Sequence, residues 1–191
     1  MSAMPTSALD RFIAASQARA ARHAEPADCV AAIAPLMHEL LQDADSFLAP
    51  QHLRADLAHY ARNAIHVSAD QSLSLYALVW TPGQWTPVHD HGSWGVVGVL
   101  RGVLEERSYI RTGVHGEEAR IALQRGGVIL LGPGSVTSFV PNPDHIHVTG
   151  VSAERAQVVS LHLYGRNMDS FHLYDVEAGT RRKVNLEHNE S

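Results

Sequence analysis

Two histidines separated by one residue, His89 and His91, are the side chains of this sequence best suited to hold a metal ion. The surrounding residues have the apolar pattern of a short β-strand, in which alternate side chains point to the same face. The two imidazoles can therefore close on one ion. His145 and His147 repeat this spacing further along the chain, and strand geometry alone does not choose between them as a third ligand.

A second candidate set is Ser160, His162 and Tyr164, which alternate with leucines at positions 161 and 163. Alternation places the three polar side chains on one face of a strand and the leucines on the other. Considered in isolation, such a face is more often exposed to solvent. Inside a barrel it forms a hydrogen-bonded relay, in which His162 orients the Tyr164 hydroxyl.

The segment Tyr60-Ala61-Arg62-Asn63 precedes both sets and supplies a cation. A guanidinium binds a carboxylate through two parallel hydrogen bonds, which fixes orientation as well as charge. Arg62 is therefore a candidate for binding an acidic substrate. The alternative is a surface residue of a helix that pairs with a nearby carboxylate.

Helices are predicted to dominate the first third of the chain. Residues 8–48 are rich in Ala, Leu and Gln, and apolar residues recur there at helical spacing. Pro26 or Asp28 is the expected start of a second helix, and residues 49–51 are its expected end. Residues 52–65 predict a further short helix.

Strands are predicted from residue 73 onward. The runs are short, Gly, Pro or Asn punctuates them, and no helix separates them, a pattern typical of an antiparallel sandwich or jelly roll. We therefore expect a mainly β fold and one domain over residues 1–191, with a helical region at 1–66 and a β-barrel at 67–176. The predicted strands are 73–80, 96–100, 103–110, 119–123, 128–131, 136–140, 145–151 and 158–164.

The composition of the chain disfavours several classes of protein. With 15 Lys and Arg against 20 Asp and Glu, the net charge of −5 offers no basic field for nucleic acid. No apolar run reaches the ~18 residues of a membrane span and no signal peptide is visible, so a cytoplasmic location without a membrane partner is expected. Cys29 is the only cysteine, so a metal must rest on His, Asp, Glu or water. The sequence favours no particular oligomeric state.

Gly83, five further residues, the run His89-Asp90-His91 and Gly102 together resemble the first motif of the cupin superfamily. Where the general motif has a metal-binding Glu, this chain has Gly95. The thiol dioxygenases, or cysteine dioxygenase type I family, share this departure. The chain resembles a bacterial member of that family with Arg at the substrate position, and the resemblance implies a cupin jelly-roll barrel with N-terminal helices.

The resemblance also implies the rest of a metal site. In this family the third ligand lies 17 residues before the Tyr of a Ser-Xaa-His-Xaa-Tyr motif, and counting back from Tyr164 gives His147. His145 then becomes a neighbour of the ligand. The resemblance implies Fe(2+) as the cofactor. Its implied ligands are three histidines, His89, His91 and His147. The implied catalytic relay consists of Ser160, His162 and Tyr164.

Substrate binding follows from the same resemblance. In cysteine-type members an Arg in a Tyr-Xaa-Arg-Asn setting holds the substrate carboxylate, which implies Arg62 with Tyr60 beside it. Members acting on 3-mercaptopropionate commonly have Gln there and use an Arg beyond the Tyr motif, where this chain offers only Arg166. Mammalian members crosslink that Tyr to a nearby cysteine. Because Cys29 lies in the helical region, Tyr164 is expected to stay an unmodified phenol.

The implied activity is iron-dependent oxidation of a small thiol by O2 to its sulfinate, with cysteine as the favoured substrate. 3-Mercaptopropionate is one alternative, and mercaptosuccinate is another if a second cation such as Arg166 faces the pocket. Two hypotheses from other classes remain. One is a zinc or nickel cupin isomerase that uses the same three histidines, and the other is a binding or structural cupin without catalysis.

Overall fold

The computed structural model describes residues 7–112, 121–141 and 145–185. Two helices come first in the chain. Helix α1 spans Ala8–Arg22 and is capped by Ser7, whose Oγ accepts the Asp10 backbone N–H at 3.0 Å. Helix α2 spans Pro26–Gln42 and starts at Pro26, one of the two predicted starts. Proline suits this position because the first helical N–H has no partner within the helix.

Helix α2 ends before the predicted 49–51 boundary. Two 3-10 turns follow it, at Ala44–Ser46 and Pro50–Leu53. The Ser46 hydroxyl donates to the Asp43 carbonyl oxygen at 2.7 Å. Short polar side chains that bond to nearby backbone in this way compete with helix continuation, which explains the early end.

The helix predicted over residues 52–65 is wrong, because Ala61–Val67 forms strand β1. Strand β1 pairs antiparallel with the next strand, and Arg62 lies opposite Leu78. Leu57, an apolar residue of the supposed helical face, is 91% exposed. Tertiary pairing outweighed the local helical spacing, so Arg62 projects from a sheet rather than a helix and the strands begin before residue 67.

The remaining strands complete a mainly β jelly roll, as the sequence predicted. A five-stranded antiparallel sheet has the order β1-β2-β8-β3-β6, a three-stranded sheet has the order β5-β4-β7, and β9 pairs with β10. The predicted strands at 119–123 and 128–131 are replaced by one longer strand, and residues 119 and 120 lie outside the described part. The last two strands were not predicted. The bounds are β2 Ser74–Trp80, β3 Gly95–Arg101, β4 Leu104–Arg111, β5 Leu123–Leu131, β6 Val136–Phe139, β7 Ile146–Gly150, β8 Val158–Tyr164, β9 Ser170–Asp175 and β10 Thr180–Asn185.

The five-stranded sheet separates two apolar clusters. Helices α1 and α2 pack on one face, against residues that include Leu161 and Leu163. Gly98 on β3 permits close approach there, because a Cβ at this position would lie 2.9 Å from the Met37 side chain. The other face looks into the barrel and carries Tyr164 in a second cluster. Alternation along β8 therefore directs its polar side chains inward, away from solvent.

Within the described ranges, no helix combines the length and apolarity needed to cross a membrane.

Candidate metal centre and substrate pocket

His89, His91 and His147 come together inside the barrel, with one nitrogen of each within 4.8 Å of the others. Mutual backbone hydrogen bonds of 3.0 Å join His89 to His147, so the segment before β3 runs beside β7. The ring centroids of the three imidazoles are 4.6–5.0 Å apart. Side chains from two distant parts of the sequence thus form one triad.

The hydrogen bonds of the triad leave nitrogen atoms available to a metal. His89 Nδ1 lies 3.0 Å from the Pro87 carbonyl oxygen, which fixes its proton there and frees Nε2. Among the described residues, neither His147 Nε2 nor His91 Nδ1 has a hydrogen-bond partner, although both atoms are buried. Buried nitrogen atoms without partners are costly unless a ligand satisfies them. The triad therefore fits a metal ion.

Electrostatics keep these imidazoles in the form that metals bind. Burial, followed by the neighbouring imidazoles, holds the pKa values of His89 and His91 well below the usual range. Burial also lowers the pKa of His147. All three rings are consequently neutral near pH 7, and a neutral imidazole offers a lone pair.

The position of the usual cupin carboxylate has no space for a side chain. A Cβ at Gly95 would overlap the ring of Phe139, whose Cε1 atom would lie only 2.8 Å away. The Phe139 ring in turn stacks on His91, with centroids 4.4 Å apart. Phe139 thus fills the space in which residue 95 would carry a ligand, and the triad consists of histidines among the described residues.

Glu106 on β4 contacts one member of the triad, His147. This contact was not predicted from the sequence. The two Glu106 oxygens lie 3.2 Å from His147 Nδ1 and 3.2 Å from His145 Nε2. Burial raises the pKa of Glu106, but the hydrogen bonds from the two histidines outweigh it and hold the pKa far below the usual value. The available signal was alternation, because Glu106 shares the buried face of β4 with Leu104.

The structure places His145 outside the triad. Its ring lies flat on Phe139, with centroids 4.6 Å apart and an interplanar angle of 3°. Its Nε2 faces Glu106, so His145 forms a second close group of possible ligand atoms with Glu106 and His147 and is not a member of the triad.

Ser160, His162 and Tyr164 form a continuous hydrogen-bonded chain on β8. Trp80 Nε1 donates to Ser160 Oγ at 3.1 Å, Ser160 Oγ lies 2.8 Å from His162 Nε2, and His162 Nδ1 lies 3.2 Å from the Tyr164 hydroxyl. All three polar residues are at most 6% exposed. The face that could have met solvent is therefore buried, and His162 and Tyr164 on it line the cavity.

The direction of this chain follows from the first donor. An indole N–H can only donate, so Ser160 Oγ accepts from Trp80. When Ser160 gives its own proton to His162 Nε2, the one donor left over in the chain is the Tyr164 hydroxyl, which lines the cavity. Burial lowers the pKa of His162 to about 3, so its ring is neutral and carries its proton on Nδ1. That proton is donated to the Tyr164 oxygen. The Tyr164 proton is then free for a group in the cavity, and burial raises the pKa of this phenol, which keeps it protonated.

Arg62 lines the same cavity as the triad and Tyr164. Its guanidinium carbon sits 4.5 Å from the Tyr76 ring centroid, and Nη2 donates to the Met168 carbonyl oxygen at 3.2 Å. Tyr60 also lines the cavity, and its ring stacks on Trp80 with centroids 4.5 Å apart. Burial raises the pKa of Tyr60, so its hydroxyl stays a donor.

Arg166 is directed to other partners. Nη2 binds Asp169 Oδ1 at 2.8 Å and Ser170 Oγ at 2.7 Å, and Nε donates to the Asn167 carbonyl oxygen. Of the described residues that line the cavity, only Arg62 carries a Lys or Arg charge. The described lining residues therefore give no second cation for a dicarboxylate.

Asp90, between two members of the triad, points away from it. The Tyr174 hydroxyl donates to Asp90 Oδ2 at 2.6 Å, and the His172 backbone N–H donates to Oδ1 at 3.1 Å. Both partners belong to β9, which also supplies Phe171 to the cavity wall. Asp90 thus fastens the C-terminal hairpin over the histidine segment.

Comparison with known proteins gives one family and a set of distant structures. A family model described as cysteine dioxygenase type I matches residues 16–177. An uncharacterised protein with a double-stranded β-helix domain from Klebsiella pneumoniae is 15% identical, with a TM-score of 0.46 over 65% of this chain and 91% of that one. A cupin-like protein from Thermotoga maritima is 15% identical, with a TM-score of 0.39 over 72% and 87%.

Proposed function

Because this chain belongs to the cysteine dioxygenase type I family, we propose that it is an iron(II)-dependent thiol dioxygenase. Its substrate is a small thiol that bears a carboxylate, with cysteine favoured, and its product is the sulfinate. In this reaction R–SH and O2 give R–SO2H: the O–O bond breaks, two S–O bonds form, and sulfur supplies all the electrons that O2 accepts.

One observation carries the proposal: the three histidines and Arg62 line a single cavity. A metal at the triad and a cation in the same cavity suit a ligand with a soft atom at one end and a carboxylate at the other. Bound by His89, His91 and His147, iron(II) would supply the redox chemistry that joins a thiolate to O2.

Arg62 orients the substrate. Its guanidinium is already held by the Met168 carbonyl oxygen and the Tyr76 ring, so little side-chain entropy is lost when a carboxylate binds. The remaining N–H groups offer two parallel hydrogen bonds. Tyr60 adds a protonated hydroxyl on the same wall of the cavity. The absence of a second Lys or Arg among the described lining residues favours a monocarboxylate.

Tyr164 donates its proton into the cavity, toward the thiol sulfur or the incoming oxygen. His162 and Ser160 hold the hydroxyl in this direction through the hydrogen bonds of 3.2 and 2.8 Å. The apolar side chains of Leu78, Phe139, Met168 and Phe171 line the remaining wall. They limit the entry of water, which strengthens each of these polar contacts.

Oxygen consumption by the iron-loaded protein tests the proposal. We expect uptake with cysteine, less with 3-mercaptopropionate and mercaptosuccinate, and little with cysteamine, which lacks the carboxylate. Mass spectrometry should show a product with two added oxygen atoms. If none of the four thiols supports uptake, the proposal is wrong and a metal-binding cupin of another class takes its place.

A matched pair of arginine variants tests the substrate contact. Arg62→Gln removes a charge inside the cavity, and we expect kcat/KM for cysteine to fall about 100-fold, since breaking a buried charge pair costs about 2–5 kcal/mol. Arg166→Gln removes a charge that binds Asp169 outside the cavity. It should change kcat/KM less than about twofold. Equal effects of the two variants would contradict the role of Arg62.

A further inference from the structure

Glu106 is a charged residue in an unusual position, because it is only 8% exposed and lies directly behind a proposed metal ligand. An isolated buried carboxylate is strongly unfavourable. Here each oxygen accepts from a different imidazole, His147 Nδ1 and His145 Nε2, both at 3.2 Å. Both carboxylate oxygens are thus hydrogen-bonded to imidazoles. Because His147 belongs to the triad, Glu106 acts directly on one of its members.

We propose that Glu106 is a positioning residue that fixes the proton of His147 on Nδ1, directs the Nε2 lone pair into the triad and makes that nitrogen a stronger donor. The inference rests on the proposed function only in that the triad holds a metal. A neutral imidazole has one N–H, and the carboxylate can only accept. Thr149 Oγ1 also lies 3.3 Å from His147 Nδ1, and a hydroxyl oxygen can accept the same N–H. The proton therefore lies on Nδ1, on the side of Glu106, and the buried Nε2, which has no partner among the described residues, is left for the metal.

The other ligand of known orientation shows what is particular to His147. His89 is fixed by a neutral acceptor, the Pro87 carbonyl oxygen at 3.0 Å. His147 is fixed by an anion, and hydrogen bonds to charged acceptors are about twice as strong as those to neutral ones. Partners of this kind raise the basicity of the ligand and commonly change metal affinity by about 10–100-fold.

Glu106 also places negative charge near a triad that has none of its own. Gly95 and the Phe139 ring leave no space for a carboxylate ligand at the usual cupin position. The Glu106 carboxylate is not a member of the triad. It binds the outer nitrogen of His147 and acts on the metal through that ring. The site therefore keeps three neutral ligands and still has an anion nearby to stabilise the charge of the metal.

Metal affinity and redox potential test this role with Glu106→Gln and a matched control, Glu105→Gln. The control removes the same charge from the adjacent position of β4, where Glu105 binds Arg107 Nε at 2.8 Å instead of the histidines. In competition with a chromogenic chelator, the zinc affinity of Glu106→Gln should fall about 10–100-fold, and that of Glu105→Gln less than about twofold. The potential of the iron-loaded protein should shift to more positive values in Glu106→Gln only.

Equal zinc affinities for the two variants, or no difference in potential, would overturn the inference. If Glu106→Gln does not fold, nitrogen-15 NMR of the unaltered zinc-loaded protein decides: a hydrogen-bonded proton on His147 Nδ1 supports the role, and one exchanging freely with solvent refutes it. The zinc measurement uses neither thiol nor O2. A protein that passes it but consumes no oxygen would contradict the proposed function and leave the role of Glu106 intact.

Discussion

The histidine triad and the β8 chain, formed by hydrogen bonds among Ser160, His162 and Tyr164, both depend on histidine but use it in opposite ways. In the β8 chain both nitrogens of His162 have hydrogen-bond partners, Ser160 and Tyr164, each two residues away. In the triad, buried nitrogens of His91 and His147 have no partner among the described residues. The two partners of His162 fix its ring, which then orients Tyr164, whereas the unpartnered nitrogens of His91 and His147 lie in the triad and are available to a ligand.

The two regions also differ in how they are assembled. The β8 chain needs only one strand in a barrel, since alternation brings its three side chains into line. The triad needs the segment around His89 to lie beside β7, and it needs Glu106 from β4 behind His147. We therefore expect substitutions in the triad to abolish metal binding, and substitutions in the β8 chain to change turnover and stability while metal stays bound.

The largest expected effect is the loss of metal in His147→Ala. Removing one of the three proposed ligands should reduce metal affinity by more than the about 10–100-fold that an outer partner contributes, so metal should not survive dialysis. Metal analysis of the purified protein measures this. His145→Ala, which removes the adjacent imidazole outside the triad, should retain metal. Normal metal content in His147→Ala would remove that residue from the site.

Tyr164→Phe should separate the two regions. The variant loses the hydroxyl that donates into the cavity but no triad nitrogen, so metal content should be normal and kcat should fall about 100-fold, the scale of a positioned proton donor. Steady-state oxygen uptake by metal-matched samples is the measurement. An unchanged kcat would exclude Tyr164 from the reaction.

The same contrast explains what the sequence could predict. The alternation of Ser160, His162 and Tyr164 with leucines is a local pattern, and the sequence predicted β8 over the residues it occupies. Proline at position 26 likewise marked the start of α2. These features depend on rules that act within a few residues.

Features that depend on distant partners were harder to predict. Arg62 has helical apolar spacing around it, yet pairing with β2 makes its segment a strand. Glu106 looked like an ordinary charged residue, because only the approach of β7 brings two histidines to its carboxylate. His145 and His147 could not be separated by strand spacing, and resemblance to a family was needed to choose. Long-range packing supplied the information that local patterns lack.

Acid should destabilise the metal-free protein through its buried imidazoles. Burial, followed by electrostatic repulsion from His147 and Arg62, lowers the pKa of His162 to about 3, whereas an unfolded chain has a value of about 6.5. Between these values the unfolded state binds more protons, so stability is intact above about pH 6.5 and is lost progressively toward pH 3. In urea unfolding, the free energy of unfolding of His162→Gln should fall less steeply with decreasing pH over this range. The difference in slope should correspond to at most one bound proton. Parallel curves would mean that His162 is not held neutral.

The smallest expected effect is that of Ser160→Ala, which removes the hydroxyl that links Trp80 to His162 at the start of the β8 chain. Trp80 is fully buried, and its indole N–H would lose its acceptor at a cost of about 1–3 kcal/mol, measurable by urea unfolding. His162 would also lose the donor that fixes its tautomer, so kcat should fall, but by less than in Tyr164→Phe.

Ser74→Ala is the matched control, because this buried hydroxyl on β2 donates to the Arg166 carbonyl oxygen and takes no part in the β8 chain. It should reduce stability without changing kcat, and an equal loss of kcat in both variants would show that Ser160 acts through general stability and not through His162.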